Sequence, residues 1–443
     1  MGDKKIIGNG LLITGGNNNK IINNGAVYIE DNIIKDFGDT VKIKNQYPDS
    51  NYTDAAGKVI MPGMICTHHH LYSTFACGLG FKESHNFTEI LNNLWWKLDK
   101  SLTLDDIYYS ALIPLIKAVK SGTTTVIDHH ASPNAITGSL DRLVDAVKEI
   151  NVRTVLCYEV SDRDGEQKAE EGINENLRFI DKYSNFKDDL IGALFGLHAS
   201  FTISDSTLKK ITDAVKDYNV GFHIHVAEDS ADVNDSLNKY NKRVVHRLSD
   251  AGILNNKSIA AHCIHINEQE MDILQKNKTA VINNPSSNMN NAVGTADILS
   301  MLKKNILVGL GTDGMTSNMF SEVNTAYLIQ RHTQHKPNVA FAEAVDMLLK
   351  NNPVIASRYF KNKVGVIEKN AFADIIIVDY YPYTPINNDN FYGHFMFGIA
   401  NAPVDTTIIN GKTVMQNKQL INIDEKSIHN KALKFAREIW DRF

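Results

Sequence analysis

Histidines and carboxylates recur at the ends of apolar runs in this 443-residue chain, and their types and spacing suit the binding of a divalent ion. PGMICTHHH ends on three consecutive histidines. In extended chain alternate side chains share a face, so His68 and His70 can grip one ion while His69 points elsewhere. An HxH pair also occurs on ordinary surfaces and carries little weight alone. Support comes from HIHVAE, where His225 offers another neutral imidazole and Glu228, three residues on, lies close enough to move protons without occupying the metal. His223 shares the face of His225 one layer deeper, which reads as a packed, hydrogen-bonded histidine. ILVGLGTDG sets Asp313 between small residues that let the backbone turn sharply and aim the carboxylate over the site. His198 in GLHAS and His262 in AAHCIH each end a further run, as pocket residues or as satisfied core histidines. His265 reads as structural, and His129 and His130 stay open between pocket lining and support.

The elements that must position these residues have a regular order. Between about residues 59 and 360, β-rich runs of four to eight residues alternate with longer helical patterns. The strand candidates are VIMPGMICTH, TTTVIDH, RTVLCYEV, IGALFGLH, VGFHIHVAE, SIAAHCIH, TAVINNP and ILVGLGTDG, eight in number, as a closed parallel barrel requires. Such a barrel presents its active site at the C-terminal ends of the strands, where the polar residues above fall. Between the strands, LDDIYYSALIPLIKAVKSG and LDRLVDAVKEIN space apolar residues for one helical face and end at Gly or Asn.

The flanks differ. IIGNGLLITG and GAVYIEDNIIKDFG read as short strands broken by the turn-forming GGNNNK and IINNG, and the pattern returns in ADIIIVDY and DTTIINGKTV, where Asn410-Gly411 signals a hairpin. The expected fold is therefore α/β: a (β/α)8 TIM-type barrel over 59–362, a small composite β-sandwich domain from 1–58 plus 363–425, and a C-terminal helix over 426–443 with Trp440 and Phe443 on its apolar side, for core packing or a subunit contact. Lys and Arg total 46 against 51 Asp and Glu, so the basic stripe of a nucleic-acid surface is missing. MGDKKIIGNG has no long apolar region, and no later stretch nears the roughly 20 apolar residues of a membrane span, so a soluble cytoplasmic protein is expected. Cys66, Cys77, Cys157 and Cys263 form no CxxC pair and read as reduced, mostly buried thiols.

PGMICTHHH, HVAE, AAHCIH, NPSSN and GTDG together resemble the ordered signatures of the amidohydrolase superfamily, in its branch of nucleobase and nucleoside deaminases and triazine chlorohydrolases. The resemblance spans essentially the whole chain. WWKLD, GTTTVIDHHASPNAI and CYEVSDRDG further resemble the aminohydrolases called SsnA, associated with purine and selenium-dependent metabolism. The resemblance implies His68, His70, His225 and Asp313 as metal ligands, Glu228 as proton shuttle, His262 beside the activated water and His198 as a substrate contact. Binuclear relatives carry a modified lysine at the end of the fourth strand. Leu197-His198-Ala199 stands there, which implies one ion, Zn²⁺ first and Fe²⁺ second. Phe372 departs from a nearby glycine of many relatives, in the small domain only.

The implied activity is hydrolytic deamination of a purine-like, pyrimidine-like or related nitrogen heterocycle. Lowering the pKa of water from about 15.7 to about 7 is worth on the order of 11 kcal/mol, more than any single side chain supplies. Asp313 would accept a proton from the water, His262 orient it and Glu228 relay protons to the ring nitrogen and leaving group. Cyclic-amide opening or halide displacement uses the same machinery. A noncatalytic binding or assembly barrel has no need of a proton-transfer carboxylate beside the ligands. Trp95, Trp96, Tyr158, Asn318 and His332 are loop candidates for the pocket, and the partners expected are a small heterocyclic substrate and further copies of the chain, as a homodimer or larger homo-oligomer.

Overall fold

In the computed structural model, which describes residues 3–443, the barrel strands are Met64–His69, Thr123–Asp128, Arg153–Leu156, Ile191–Ala193 continuing as Phe195–Ala199, Phe222–Val226, Ile259–His262, Ala280–Asn283 and Val308–Leu310. Neighbours pair in parallel. They are almost wholly buried, the reason their sequences run apolar rather than alternate. The fourth strand bends at Leu194, so that its first part pairs with the third strand and its second with the fifth. Between the eighth strand and the first the ring closes without a regular ladder. The His68 carbonyl accepts from both Thr312 and Asp313 N–H at 3.0 Å. The buried Asn352 side chain donates to the carbonyls of Ile65 (2.7 Å) and Leu310 (2.8 Å) and accepts from the Leu310 N–H (2.8 Å).

Helices form where the sequence caps them. Leu104–Lys120 opens on a reciprocal capping box between Thr103 and Asp106, and Ser139–Ile150 ends at Asn151, whose φ of 62° stops the helix.

Both chain ends contribute to one nine-stranded sheet. Its path runs from the two-residue strand Gln419–Leu420 through Lys412–Gln416, Val404–Ile409, Ile375–Val378, Val59–Pro62, Lys4–Ile13 and Ile21–Glu30 to Ile33–Asp39, with Asn51–Asp54 beside Lys4–Ile13. Ile7, Leu12, Val27, Ile60, Ile375 and Ile408 belong to its own buried apolar cluster. The hairpin turn at Asn410-Gly411 has φ of 52° and 73°, the geometry that Asn-Gly favours, and a Cβ on Gly411 would lie 1.9 Å from the Asp31 carbonyl oxygen.

Several local readings change. VIMPGMICTH is two strands: Val59–Pro62 pairs with Ile375–Val378 in the small sheet, and only Met64–His69 enters the barrel, so residue 59 does not begin the barrel. IINNG is strand rather than turn, because a register shift with Asn24 at φ 47° absorbs its turn-forming residues. The helix Glu425–Arg442 buries Ile428, Ala432 and Ile439 against its own chain, and Trp440 Nε1 donates to the Phe75 carbonyl at 2.9 Å. Its apolar side therefore serves core packing. Cys66, Cys157 and Cys263 are buried free thiols, whereas Cys77 is exposed. Among the described residues no helix is long and apolar enough to cross a membrane.

Candidate active site

Three imidazoles converge at the C-terminal ends of the first and fifth strands. Period two turns His68 and His70 to one side, whereas His69 turns away to Ser317 Oγ at 3.2 Å. His70 Nε2 lies 3.1 Å from His225 Nε2 and 2.9 Å from Asp313 Oδ1, and His68 Nε2 lies 3.7 Å from the same oxygen. The opposite nitrogens are engaged behind them. His70 Nδ1 donates to the His129 carbonyl (2.6 Å) and His225 Nδ1 to the His198 carbonyl (2.9 Å), while His68 Nδ1 pairs with His223 Nε2 (2.8 Å). A carbonyl only accepts, so the first two rings must carry Nδ1–H, which makes Nε2 the nitrogen each can offer to an ion. His223 is thus a buried partner of His68, and among the described residues His68 Nε2 has no hydrogen-bond partner.

The remaining groups flank this cluster. Asp313 Oδ2 accepts from Ser287 Oγ at 2.5 Å. His262 Nδ1 bonds Asn288 Oδ1 at 2.7 Å, which turns its Nε2 into the site, 3.6 Å from Glu228 Oε2 and 3.9 Å from Asp313 Oδ2. Ser287 and Asn288 belong to NPSSN, so that motif aligns two of the site's side chains. Ala227, His262 and Asp313 sit at left-handed φ of 46°, 71° and 53°, a strain of about 1–3 kcal/mol each that is tolerated where a strand end must be re-aimed.

Burial favours neutral His68, His225 and His198 rings, all well below the ordinary imidazole range, as metal ligation requires of the first two. Burial opposes charge on His70 too, yet Asp313 and then Glu159 outweigh it and push the ring up to about 10. Burial would raise the Asp313 carboxyl, but His70, His262 and His68 hold it well below its usual range. Glu228 is raised, by burial first and by Asp313, against the pull of His262. A carboxylate stabilised by surrounding imidazoles, with buried ring nitrogens left unpaired, is a donor set that fits a divalent cation. His68, His225, His262 and Asp313 offer atoms all within 4.8 Å of one another.

The cluster opens into a cleft of about 790 Å³ that reaches solvent. Trp95, Trp96 and Phe201 supply its aromatic walls, and Asp99, Glu159 and His198 face it from the side. His198 Nδ1 bonds Thr202 Oγ1 at 2.8 Å, leaving Nε2 in the cleft, 3.9 Å from Glu159 Oε2. Of the loop candidates, the two tryptophans line the cleft. Tyr158 is packed in the core with its hydroxyl near the Ser132 amide, Asn318 caps the helix Met319–Gln334, and His332 sits in the last turn of that helix beside His335. These three belong to packing and capping. His265 Nε2 bonds the Val293 carbonyl and His130 Nε2 bonds Ser132 Oγ, both supporting roles.

The residues expected from the sequence do not include Glu159 or Asp99, which line the cleft, or Arg163, which pairs with Asp99. Glu159 lies three residues beyond the end of the third barrel strand, where a polar group closes an apolar run. Asp99 and Arg163 are 64 residues apart and joined by a buried ion pair, a juxtaposition that no local pattern announces.

Comparison with known proteins shows what the chain is similar to. Residues 59–414 match the amidohydrolase family. A 5′-deoxyadenosine deaminase of Methanobrevibacter smithii is 31% identical over 428 residues, 94% of each chain. A 5-methylthioadenosine/S-adenosylhomocysteine deaminase of Desulforudis audaxviator is 29% identical over 422 residues, 94% of this chain and 95% of that one. In fold, a zinc-bound adenosine deaminase from Xanthomonas campestris superposes with a TM-score of 0.86 at 19% identity, over 99% of this chain and 98% of its own.

Proposed function

Because the chain belongs to the amidohydrolase family, we propose that it is a metal-dependent hydrolytic deaminase that replaces the exocyclic amine of a nitrogen heterocycle with oxygen. The adenine ring of an adenosine derivative is the substrate class best supported, since the deaminases named for such compounds match end to end at about 30% identity. The observation that carries the reading is the convergence of His68, His70, His225 and Asp313, with Glu228 and His262 on the open side.

A bound divalent ion would supply a Lewis acid that lowers the pKa of water toward 7 from about 15.7. His68, His70, His225 and Asp313 would hold it, one ion per chain, with Zn²⁺ the first choice and Fe²⁺ the second for imidazole and carboxylate donors. Asp313 takes a proton from the attacking water. His262, its Nδ1–H fixed on Asn288, orients that water through Nε2. Glu228 carries protons between water, ring nitrogen and departing amine. As the C–O bond forms and the C–N bond breaks, one proton of water stays on the ring nitrogen and the other leaves with ammonia. His198 Nε2 meets the substrate across the cleft, and Trp95 and Trp96 offer faces on which a ring can stack.

Zinc-replete protein incubated with adenosine derivatives and free nucleobases should release ammonia with a mass gain of about 1 Da in the product, one NH replaced by O. Ring-opened products, or no turnover on any aminated heterocycle, would remove the reading. With it goes a cytoplasmic homodimer or larger homo-oligomer. Exposed Leu328 and Phe397 support self-association, Phe397 stacking on half-buried Phe341 at 6.0 Å. A monomer by sedimentation at micromolar concentration would refute the assembly alone.

A further inference from the structure

One imidazole at the centre has no task in this scheme. His129 follows the second barrel strand, is fully buried, and lies parallel on His223 with centroids 4.3 Å apart and planes at 11°. Among the described residues neither of its ring nitrogens has a hydrogen-bond partner. Nδ1 lies 3.4 Å from Glu159 Oε1, which is also unpartnered. A ring held only for its stacking does not need nitrogens, and burying them unpaired strips their hydration with nothing in return.

The position of the ring supplies the missing partner. His129 offers a nitrogen that, with one each from His68, His70 and His225, forms a set lying within 4.8 Å of one another. This set shares His68 and His225 with the group that contains His262 and Asp313, but replaces those two by His70 and His129. The cage therefore has an all-imidazole side in the barrel interior and an oxygen-bearing side at the cleft. Bonds of about 2.0–2.1 Å place two donors at most about 4.2 Å apart, so the imidazole set needs only a small contraction to hold an ion.

We propose that His129 is a metal-ligating residue, which makes the deep side of the centre a four-histidine site for a late divalent ion. This rests on the metal-dependent reading above and adds a ligand to it. Four neutral imidazoles favour Zn²⁺, Ni²⁺ and Cu²⁺ over the oxygen-seeking Mg²⁺ and Mn²⁺. Asp313 then meets the ion from the cleft side, and His262 and Glu228 face water and substrate.

The test compares metal binding by wild-type protein and His129→Phe, which keeps an aromatic ring on His223 and deletes both nitrogens. After chelator stripping, each is titrated with Zn²⁺ against a competing chelator and with Co²⁺ while its visible absorption is recorded. His129→Phe should bind Zn²⁺ about 10- to 100-fold more weakly and show altered Co²⁺ bands of a centre with fewer donors. Unchanged affinity and an unchanged Co²⁺ spectrum in a variant of native circular dichroism would overturn the proposal and leave His129 a packing residue. If His129→Phe does not fold, His129→Gln replaces it, and a wild-type Co²⁺ spectrum there overturns the proposal equally. Wild-type protein that takes up no divalent ion would overturn this inference and the metal-dependent reading together, whereas a failure confined to the variants strikes only the inference.

Discussion

Glu228 divides its two oxygens between neighbours: Oε1 accepts from Asn291 Nδ2 at 3.3 Å, and Oε2 lies 3.6 Å from His262 Nε2. A proton carrier in the proposed reaction needs that arrangement, one oxygen anchored and one free to exchange. Glu228→Gln preserves shape and the anchor but cannot carry a proton, so it should retain the ion by elemental analysis and lose about 10²- to 10⁴-fold in kcat. Wild-type turnover in that variant would assign the relay to another group. His198 and His225 are neighbours with different tasks. The His225 Nε2 faces His70 and Asp313 within the ligand cluster, whereas the His198 Nε2 faces the cleft. His225→Ala should lose both ion and activity. His198→Ala should keep the ion and lose about 1–3 kcal/mol of substrate interaction, about 5- to 150-fold in kcat/KM. Metal analysis with steady-state kinetics decides, and the reverse pattern would exchange the two roles.

At the scale of elements, the seam between the first and eighth strands deserves a specific test, because those strands carry His68 and Asp313 yet share no continuous ladder. Asn352, in the helix Asn352–Ala356, bonds three backbone groups across that seam. Asn352→Ala would remove all three bonds and leave the Leu310 carbonyl only the Thr67 hydroxyl at 2.9 Å. At about 1–3 kcal/mol for each, partly recovered by relaxation, stability should fall by about 3–5 kcal/mol in chemical denaturation. Because the seam sets the distance from His68 to Asp313, the ion should also bind more weakly. A loss under about 1 kcal/mol would mean that the backbone bonds to the His68 carbonyl suffice. The sequence displayed the strands as apolar runs, but its signals for where they end were ambiguous. VIMPGMICTH reads as one strand because Pro62 and Gly63 interrupt it only briefly, and only the pairing partners reveal that its halves serve different sheets.

Over the whole molecule, barrel and small sheet are locked by a buried ion pair. Arg153, at the start of the third barrel strand, meets Asp374 through two hydrogen bonds, Nε to Oδ2 at 2.6 Å and Nη2 to Oδ1 at 3.0 Å, and both side chains are fully buried. Nη2 also reaches Asn410 Oδ1 at the hairpin turn, and the guanidinium lies over the Phe372 ring at 4.1 Å. Phe372 thus has a packing task at this junction. Arg153→Met or Asp374→Leu alone strands a buried charge and should cost about 3–5 kcal/mol. The double replacement should cost clearly less than the sum, by about 1–3 kcal/mol in a double-mutant cycle. Additive losses would show that the two groups act independently.

Sequence alone was enough for the repeated strand and helix order, the Asn-Gly hairpin and the strand-end residues His68, His70, His198, His225, Glu228, His262 and Asp313, because each leaves a local mark: a period, a turn pair, a polar group closing an apolar run. Tertiary structure decided which of these groups face one another. It set His70 Nε2 3.1 Å from His225 Nε2 and 2.9 Å from Asp313 Oδ1, and brought Asn288 behind His262. It also decided that Asp99 meets Arg163, that Arg153 meets Asp374 across 221 residues, and that His129 stands with unpaired nitrogens beside the ligand cluster. The reason is physical. Local sequence fixes the direction of a side chain relative to its own strand or helix, but burial, desolvation and pairing arise only where distant segments close around the same point.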